Sequence, residues 1–355
     1  MANSRSGMER NTITEVIIMA AFTALMATAG YFIPILEPVL IMGWALPVVV
    51  VCMRKGMQAG AATIAAAAVA TIVAVSVVTI ALTGIGNSFD AILMYAVGMM
   101  LRTAAPALLL GYGFLRGWKS EKTLFVTTIA TFIGFVVAVA LSVSLMGISY
   151  EELFMLQPEM AEEIAAMLTE YMSVGGQGLS PEVIRQITLD SYAMMQYLLP
   201  SIILVFSMLS SLIKFIAANF VLGKLKIQLP AITRVDAFRL PFSAVFAFIL
   251  GYGLDVATEA FWLGADVLMI IGQNLMLVSL AVYFFQGMGL ILYLIRKTPR
   301  STRVFWRILL FLTIVWTNVF FLQGVGYIGV ADALFDFRRV GTWFKEEIEK
   351  RRRDT

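Results

Sequence analysis

The chain of 355 residues contains no histidine and a single cysteine, Cys52. Without histidine it lacks the commonest general base and proton relay, which disfavours a membrane hydrolase. One cysteine cannot form an internal disulfide, and no cysteine–histidine cluster is available to bind zinc or haem. The sequence also lacks a Walker A motif, so ATP hydrolysis by that route is excluded. We therefore expect no catalytic residues, no metal and no cofactor, and a protein that is not an enzyme.

Charged residues are scarce as well. They make up 14% of the chain, against about 25% in an ordinary soluble domain, and 60% of the residues are apolar. The net charge of +3 is small, so a nucleic-acid surface is not needed to explain it. With a mean hydropathy of +0.87, the composition predicts an all-α, polytopic membrane protein embedded in the lipid bilayer.

Long apolar runs are abundant. A helix needs about 20 apolar residues to cross the hydrocarbon layer. The apolar runs therefore predict about ten spans, and no fewer than about eight. The last two runs are short and almost contiguous, so 304–337 is either one helix or a hairpin, and the charge distribution favours the hairpin. The predicted spans are 13–33, 36–53, 59–82, 90–115, 123–146, 192–222, 240–256, 265–295, 304–320 and 321–337.

The basic residues indicate the orientation. If these runs are spans, every Lys and Arg except Arg102, Arg185 and Lys214 falls on one side of the membrane. Cytoplasmic loops accumulate Lys and Arg, so this pattern predicts a plasma or inner membrane protein with both termini in the cytoplasm. The segment Ala27-Thr28-Ala29 resembles a signal-peptide cleavage site, but the apolar run continues beyond it, and we expect the first span to be retained.

Four segments follow from this topology: an N-terminal transmembrane bundle (1–146), an outward-facing acidic insertion (147–190), a C-terminal transmembrane bundle (191–337) and a basic cytoplasmic tail (338–355). In the insertion, large apolar residues recur at helical spacing opposite glutamates, which predicts an amphipathic helix that lies on the membrane or caps the bundle. Ser180 and Pro181 then mark the start of a helix that continues into the sixth span. The apolar residues are Met160, Ile164, Met167, Leu168 and Tyr171.

Polar groups at membrane depth are functional candidates because burying them there costs free energy. Arg102 lies far from both ends of its span and is either a counter-charge for an anionic ligand or a structural contact within the bundle. Lys214 is closer to the end of its span, and we expect its amine to snorkel towards the cytoplasmic interface. The candidate ligand-binding residues are Arg102, the outer acids Glu37 and Asp90, and the span amides Gln273 and Asn274. The acids could instead be solvated loop residues, and the amides could form hydrogen bonds between helices.

Small residues follow one face of the first span, at Ala20, Ala24 and Ala27. Such a face allows close approach of another helix. It therefore predicts either packing within the chain or docking of a second membrane protein.

Several stretches resemble the YybS-like bacterial membrane proteins. They are ITEVIIMAAFTALMA (13–27), FIPILEP (32–38), ALPVVVVCMRKGMQAG (45–60) and GVADALFDFRRV (329–340). The last stretch places Asp332, Asp336, Phe337 and Arg338 together at the end of a span. The resemblance covers nearly the whole chain apart from 147–190, implies a location in the bacterial cell membrane, and names no activity.

The N-terminal part is also similar, more distantly, to the substrate-binding S components of energy-coupling-factor vitamin transporters. Those components bind vitamins or metal cations and dock onto a coupling membrane protein through an Ala-x-x-x-Ala face, which Ala20 and Ala24 match. The resemblance implies a small-molecule (vitamin- or ion-like) binding or transport subunit that depends on a coupling protein and an ATPase. S components have fewer spans than this chain. The alternative is a non-transporting membrane scaffold or assembly factor, and the sequence names neither the substrate nor the direction of transport.

Overall fold

A computed structural model of the protein describes most of the chain, and every regular element in the described part is a helix. This confirms the predicted all-α class. The described residues are 2–33, 37–83, 89–147, 149, 152, 154, 157–174, 180–227, 239–261, 266–299, 301–306 and 318–339.

The first five long helices follow one another with short connections. A 3₁₀ turn, Phe242–Ala244, precedes the eighth long helix, and residues 301–306 and 337–339 are also helical. The long helices are α1 Ala2–Phe32, α2 Glu37–Lys55, α3 Met57–Thr83, α4 Phe89–Leu115, α5 Ser120–Met146, α6 Pro158–Val174, α7 Pro181–Lys224, α8 Val245–Phe261, α9 Asp266–Lys297 and α10 Asn318–Phe335.

Six of the described helices, α1, α3, α4, α5, α7 and α9, are long and apolar enough to cross a membrane. The helices α2 and α10 coincide with two further predicted spans, with 19 and 18 residues, and the apolar stretch of α8, Phe242–Thr258, is shorter still. The predicted span 304–320 falls mostly outside the described residues, and so does the choice between one helix and a hairpin at 304–337. The structure therefore supports a multi-pass helical protein and establishes fewer spans than the sequence predicts.

Local sequence explains where several helices begin and end. Gly56 joins α2 to α3 with φ +94°, a left-handed conformation that glycine adopts without a steric cost. At the start of α7, the Ser180 hydroxyl accepts a hydrogen bond from the Val183 amide at 3.4 Å and Pro181 occupies the first turn, as the sequence predicts. The helix then continues through Pro200 to Lys224, a length of 44 residues.

The acidic insertion contains the predicted helix, α6, but its large apolar residues do not form the buried face. Ala161 and Ala165 are buried, whereas Met167 and Tyr171 are exposed. Arg185 Nε donates to Glu162 Oε2 at 2.7 Å, and this hydrogen bond lowers the pKa of the Glu162 carboxyl. The glycine-rich break predicted at 175–178 lies outside the described residues.

The chain divides into two compact units. The first unit comprises Met1–Tyr192 and Phe206–Ala231, and the second comprises Ala193–Val205 and Ile232–Thr355. In the first unit, α1 to α5 pack together around a core that includes Val49, Leu110 and Phe215. In the second unit, α9 packs against both α8 and α10.

Candidate functional site

Arg102 lies in the middle of α4, half-buried, and its Nε donates to the Gly98 carbonyl at 3.2 Å. Four residues later, Pro106 lacks an amide hydrogen and cannot donate to the Arg102 carbonyl, so the helical hydrogen-bond ladder is interrupted at this point. The charged side chain and the interrupted backbone therefore occur in the same turn of α4.

Helix α5 approaches α4 very closely beside Arg102. A Cβ atom at Gly134 would overlap the carbonyl oxygen of Leu101, so only glycine permits this contact. One turn earlier on α5, the Thr131 hydroxyl is 3.0 Å from the Ser211 hydroxyl of α7. These two contacts bring α4, α5 and α7 together in the first unit.

The buried polar group of greatest interest on α7 is Lys214. Its side chain is 0% exposed, and its Nζ has no hydrogen-bond partner among the described residues. Arg102 lies close enough to Lys214 for the two like charges to interact. The expected snorkelling is therefore wrong, because protein side chains enclose the amine completely.

Hydroxyl groups line the same face of α7. Ser210 and Ser211 precede Lys214 by four and three residues, and Ser207 by seven, so all four project from one side of the helix. All three serines are buried, and within the described structure the Ser210 Oγ has no hydrogen-bond partner. We call Arg102, Ser210 and Lys214 the cationic site.

The cationic site lacks a carboxylate on the helices that form it. The sequences of α4, α5 and α7 contain no Asp or Glu after Asp90, Glu121 and Asp190 respectively. A buried cation without an opposite charge is costly, and Ser210 and Lys214 offer donors that the protein leaves unused. Chemically, the site is suited to an anionic or strongly hydrogen-bond-accepting group.

The other four candidate ligand residues stay predictions. Glu37 begins α2 and Asp90 lies in the first turn of α4, and their side chains are outside the described part of the structure. Gln273 is half-buried on α9 in the second unit. Asn274 uses its amide group to donate to the carbonyls of Tyr197 and Ile270, at 2.9 and 2.8 Å. Because both amide hydrogens are occupied, Asn274 serves helix packing and has none left to donate to a ligand.

The alanine face of α1 is turned into the first unit. Ala20, Ala24 and Ala27 are at most 4% exposed, and Tyr95 of α4 donates to the Ala27 carbonyl at 2.9 Å. Helices of the same chain therefore occupy the face on which the docking hypothesis depends. The structure therefore agrees with packing of the alanine face within the chain.

The motif residues near the end of α10 form a second buried cluster, within the second unit. Arg338 Nη2 lies 3.2 Å from Asp332 Oδ2, and both side chains are 3% exposed. Gln286 of α9 donates through Nε2 to the same Asp332 oxygen at 3.2 Å, and its backbone carbonyl accepts from Arg338 Nη2 at 3.1 Å. The Gln286 Oε1 accepts from the Leu240 amide at 2.9 Å. The cluster joins the end of α10 to α9.

Asp336 creates the turn that makes this pairing possible. Its φ of +43° is left-handed, a conformation that Asp tolerates better than most residues, and it ends α10. Its Oδ1 accepts from the Arg339 amide at 3.2 Å, which starts a new helical turn. The chain folds back so that Arg338 reaches Asp332, one turn before the break, while Phe337 stays exposed.

The sequence analysis named Arg102 as a candidate ligand residue and Asp332 and Arg338 as motif residues, interpreted Lys214 as a snorkelling residue, and did not name Ser210. The signal for the missed residues was present: Ser207, Ser210, Ser211 and Lys214 lie on one face of an apolar helix. Across the described residues, no group of three His, Cys, Asp or Glu side chains that could hold a metal ion is found.

The several long apolar helices and the membrane-depth polar groups define an integral membrane protein of the helical class. More particularly, the chain belongs to the family described as Predicted membrane protein (DUF2232), which it matches over residues 20–333. Asp332 is inside the matched range, and Asp336, Phe337 and Arg338 are just beyond it. No curated protein and no solved structure matches the chain.

Proposed function

We propose that this protein is a small-molecule binding or transport subunit of the bacterial plasma membrane, with its ligand site at the cationic site. The observation that carries the proposal is the fully buried amine of Lys214, which finds no hydrogen-bond partner in the described structure. A protein stabilises itself more easily with an apolar side chain at such a position, so a retained buried charge points to a ligand.

The proposal includes an orientation and an energy source. The distribution of Lys and Arg supports an orientation with both termini in the cytoplasm. The chain has no Walker A motif, so ATP-driven transport would require a partner ATPase and a coupling membrane protein. Such a partner would have to dock elsewhere than on Ala20, Ala24 and Ala27, because these residues are buried.

The test is copurification of a ligand from native membranes. We expect tagged wild-type protein, extracted in a mild detergent, to carry a defined small molecule that native mass spectrometry detects as a mass shift. The variant Lys214→Met keeps the length of the side chain and removes its charge, so we expect it to lose that molecule. Lys224→Met, an exposed position on the same helix, is the matched control and should retain it.

Two other outcomes would decide against the proposal. Wild-type protein that is free of small molecules and accompanied by envelope-assembly proteins would favour the scaffold alternative. A small molecule retained equally by the Lys214→Met variant would place the ligand away from the cationic site.

A further inference from the structure

We infer that the cationic site binds the oxyanion of a carboxylate or phosphate group, with Lys214 and Ser210 as its direct ligands. This inference rests on the proposed function and specifies the chemical class of the ligand. It excludes a metal cation and an uncharged vitamin ring as the group held at this position.

The donors at the site are complementary to an oxyanion. A lysine ammonium carries three N–H donors and no acceptor, and the Ser210 hydroxyl adds one further donor. Lys214 is 0% and Ser210 is 1% exposed, and across the described residues neither Nζ nor Oγ has a hydrogen-bond partner. Because they lie four residues apart on α7, their polar atoms can approach one ligand group from the same side.

The charges favour the same ligand class. Arg102 and Lys214 are like charges that lie close together and repel one another. The helices that hold them, α4 and α7, carry three acids, Asp90, Glu182 and Asp190, all of them more than ten residues before Arg102 or Lys214. An anion near both residues replaces this repulsion with two attractions in a medium of low dielectric constant. A metal cation would add a third positive charge and would find no carboxylate on these helices to coordinate it.

Arg102 has the lesser part in this arrangement. Its Nε already donates to the Gly98 carbonyl, and the side chain is only half-buried. Arg102 therefore supplies positive charge to the site, while Lys214 supplies the hydrogen bonds that its burial leaves unsatisfied.

The experiment compares thermal unfolding of ligand-stripped protein in a neutral detergent, at constant ionic strength, with added inorganic phosphate, acetate or chloride. We expect phosphate or acetate to raise the melting temperature of the wild type by mass action. We expect Lys214→Met to raise the melting temperature of the stripped protein, because it removes an unpaired buried charge. The same variant should weaken anion binding by about 10- to 100-fold, the loss expected for a charge-assisted hydrogen bond.

Matched variants separate a ligand role from a packing role. Ser210→Ala should weaken the anion effect without changing the stability of the stripped protein by much, and Lys224→Met should leave the effect intact. A Lys214→Met variant that is less stable than wild type when stripped would show that the amine has a structural partner and would overturn the inference. So would a wild-type melting temperature that phosphate, acetate and phosphatidylglycerol all fail to raise above its value in chloride.

Nanodiscs distinguish a soluble anion from a lipid headgroup, since both can present a phosphate. If phosphatidylglycerol discs stabilise the wild type and phosphatidylcholine discs with free phosphate do not, the oxyanion belongs to a lipid. The opposite result identifies a soluble anion. Either result supports an oxyanion site, provided that the stabilisation is abolished in the Lys214→Met variant. If the copurified molecule is uncharged and still depends on Lys214, the oxyanion inference fails and the proposed function stands.

Discussion

The ion pair between Asp332 and Arg338 shows how single residues determine the end of α10. Both side chains are 3% exposed, so each charge depends on the other and on Gln286 for the interactions that water would otherwise supply. The neighbouring pair of Arg239 and Asp336, at 3.1 Å, is considerably more exposed. The two pairs share the end of α10 and differ mainly in burial, which makes one a control for the other.

Replacement of Arg338 by alanine should destabilise the protein by about 3–5 kcal/mol, because it leaves the Asp332 carboxylate buried without its cation. Arg239→Ala should cost about 0–1 kcal/mol, as expected for an exposed ion pair. Chemical denaturation of the detergent-purified variants measures both values. The double variant Asp332→Leu/Arg338→Met should be more stable than Arg338→Ala alone, and a double variant as unstable as the single one would contradict this account.

The sequence named Asp332 and Arg338 as motif residues at the end of a span, but it did not predict their ion pair. Asp332 and Arg338 are six residues apart, more than one and a half helical turns, and the break of the helix at Asp336 lets their side chains meet. Lys214 was misjudged because its distance to Lys224 along the helix suggests access to the interface, whereas its side chain is fully buried in the structure. Burial of this kind depends on which helices are neighbours, and the sequence does not specify that.

At the scale of elements, α9 and α10 are held together by glycine contacts. A Cβ atom at Gly287 would overlap the Val325 carbonyl, and one at Gly329 would overlap the Tyr283 carbonyl. Close backbone approach of this kind is typical of membrane helices, which associate through small residues. It also positions Gln286 beside Asp332 and Arg338.

Gly329→Ala should therefore push α10 away from α9 and destabilise the protein by about 1–3 kcal/mol through overpacking. The control is Gly324→Ala on the same helix, where an added Cβ meets nothing within 4 Å. That substitution should be neutral or slightly stabilising because alanine favours helices. Thermal unfolding followed by circular dichroism compares them, and equal melting temperatures for the two variants would refute the close-contact explanation.

Helix boundaries were partly predictable from local chemistry, whereas packing faces were not. The Ser180-Pro181 signal correctly identified the start of α7, since capping depends on adjacent residues. On α6, periodicity correctly predicted a helix, but the buried side is formed by Ala161 and Ala165. Small residues carry little hydrophobic signal, yet they permit the closest approach between helices.

At the scale of the whole molecule, the proposed orientation is open to direct measurement. Cys52 is fully buried, so membrane-impermeant maleimide should not label the native protein. Glu159→Cys, on an exposed position of α6, should be labelled in intact cells. Ser301→Cys, also exposed, should be labelled only after permeabilisation, because the basic segment around it is expected to be cytoplasmic. The reverse labelling pattern would invert the topology.

The span count illustrates what apolar runs can and cannot predict. The sequence predicts about ten runs of sufficient hydropathy. Six of the described helices meet the combined requirement of length and hydropathy, and α8 is too short to do so by itself. Hydropathy identifies segments that avoid water, but whether a short segment crosses the bilayer depends on the helices that surround it.

The length of α7 has a mechanical consequence. At 1.5 Å per residue its 44 residues extend for about 66 Å, whereas the hydrocarbon layer is about 30 Å thick. More than half of a straight helix of this length would stand outside the hydrocarbon, with Arg185 near one end and Lys214 near the other. A straight helix of this length would carry a tilt at one end over to the other end. A tilt of a few degrees around Lys214 displaces the far end, and the α6 helix bound to it through Glu162, by several ångströms.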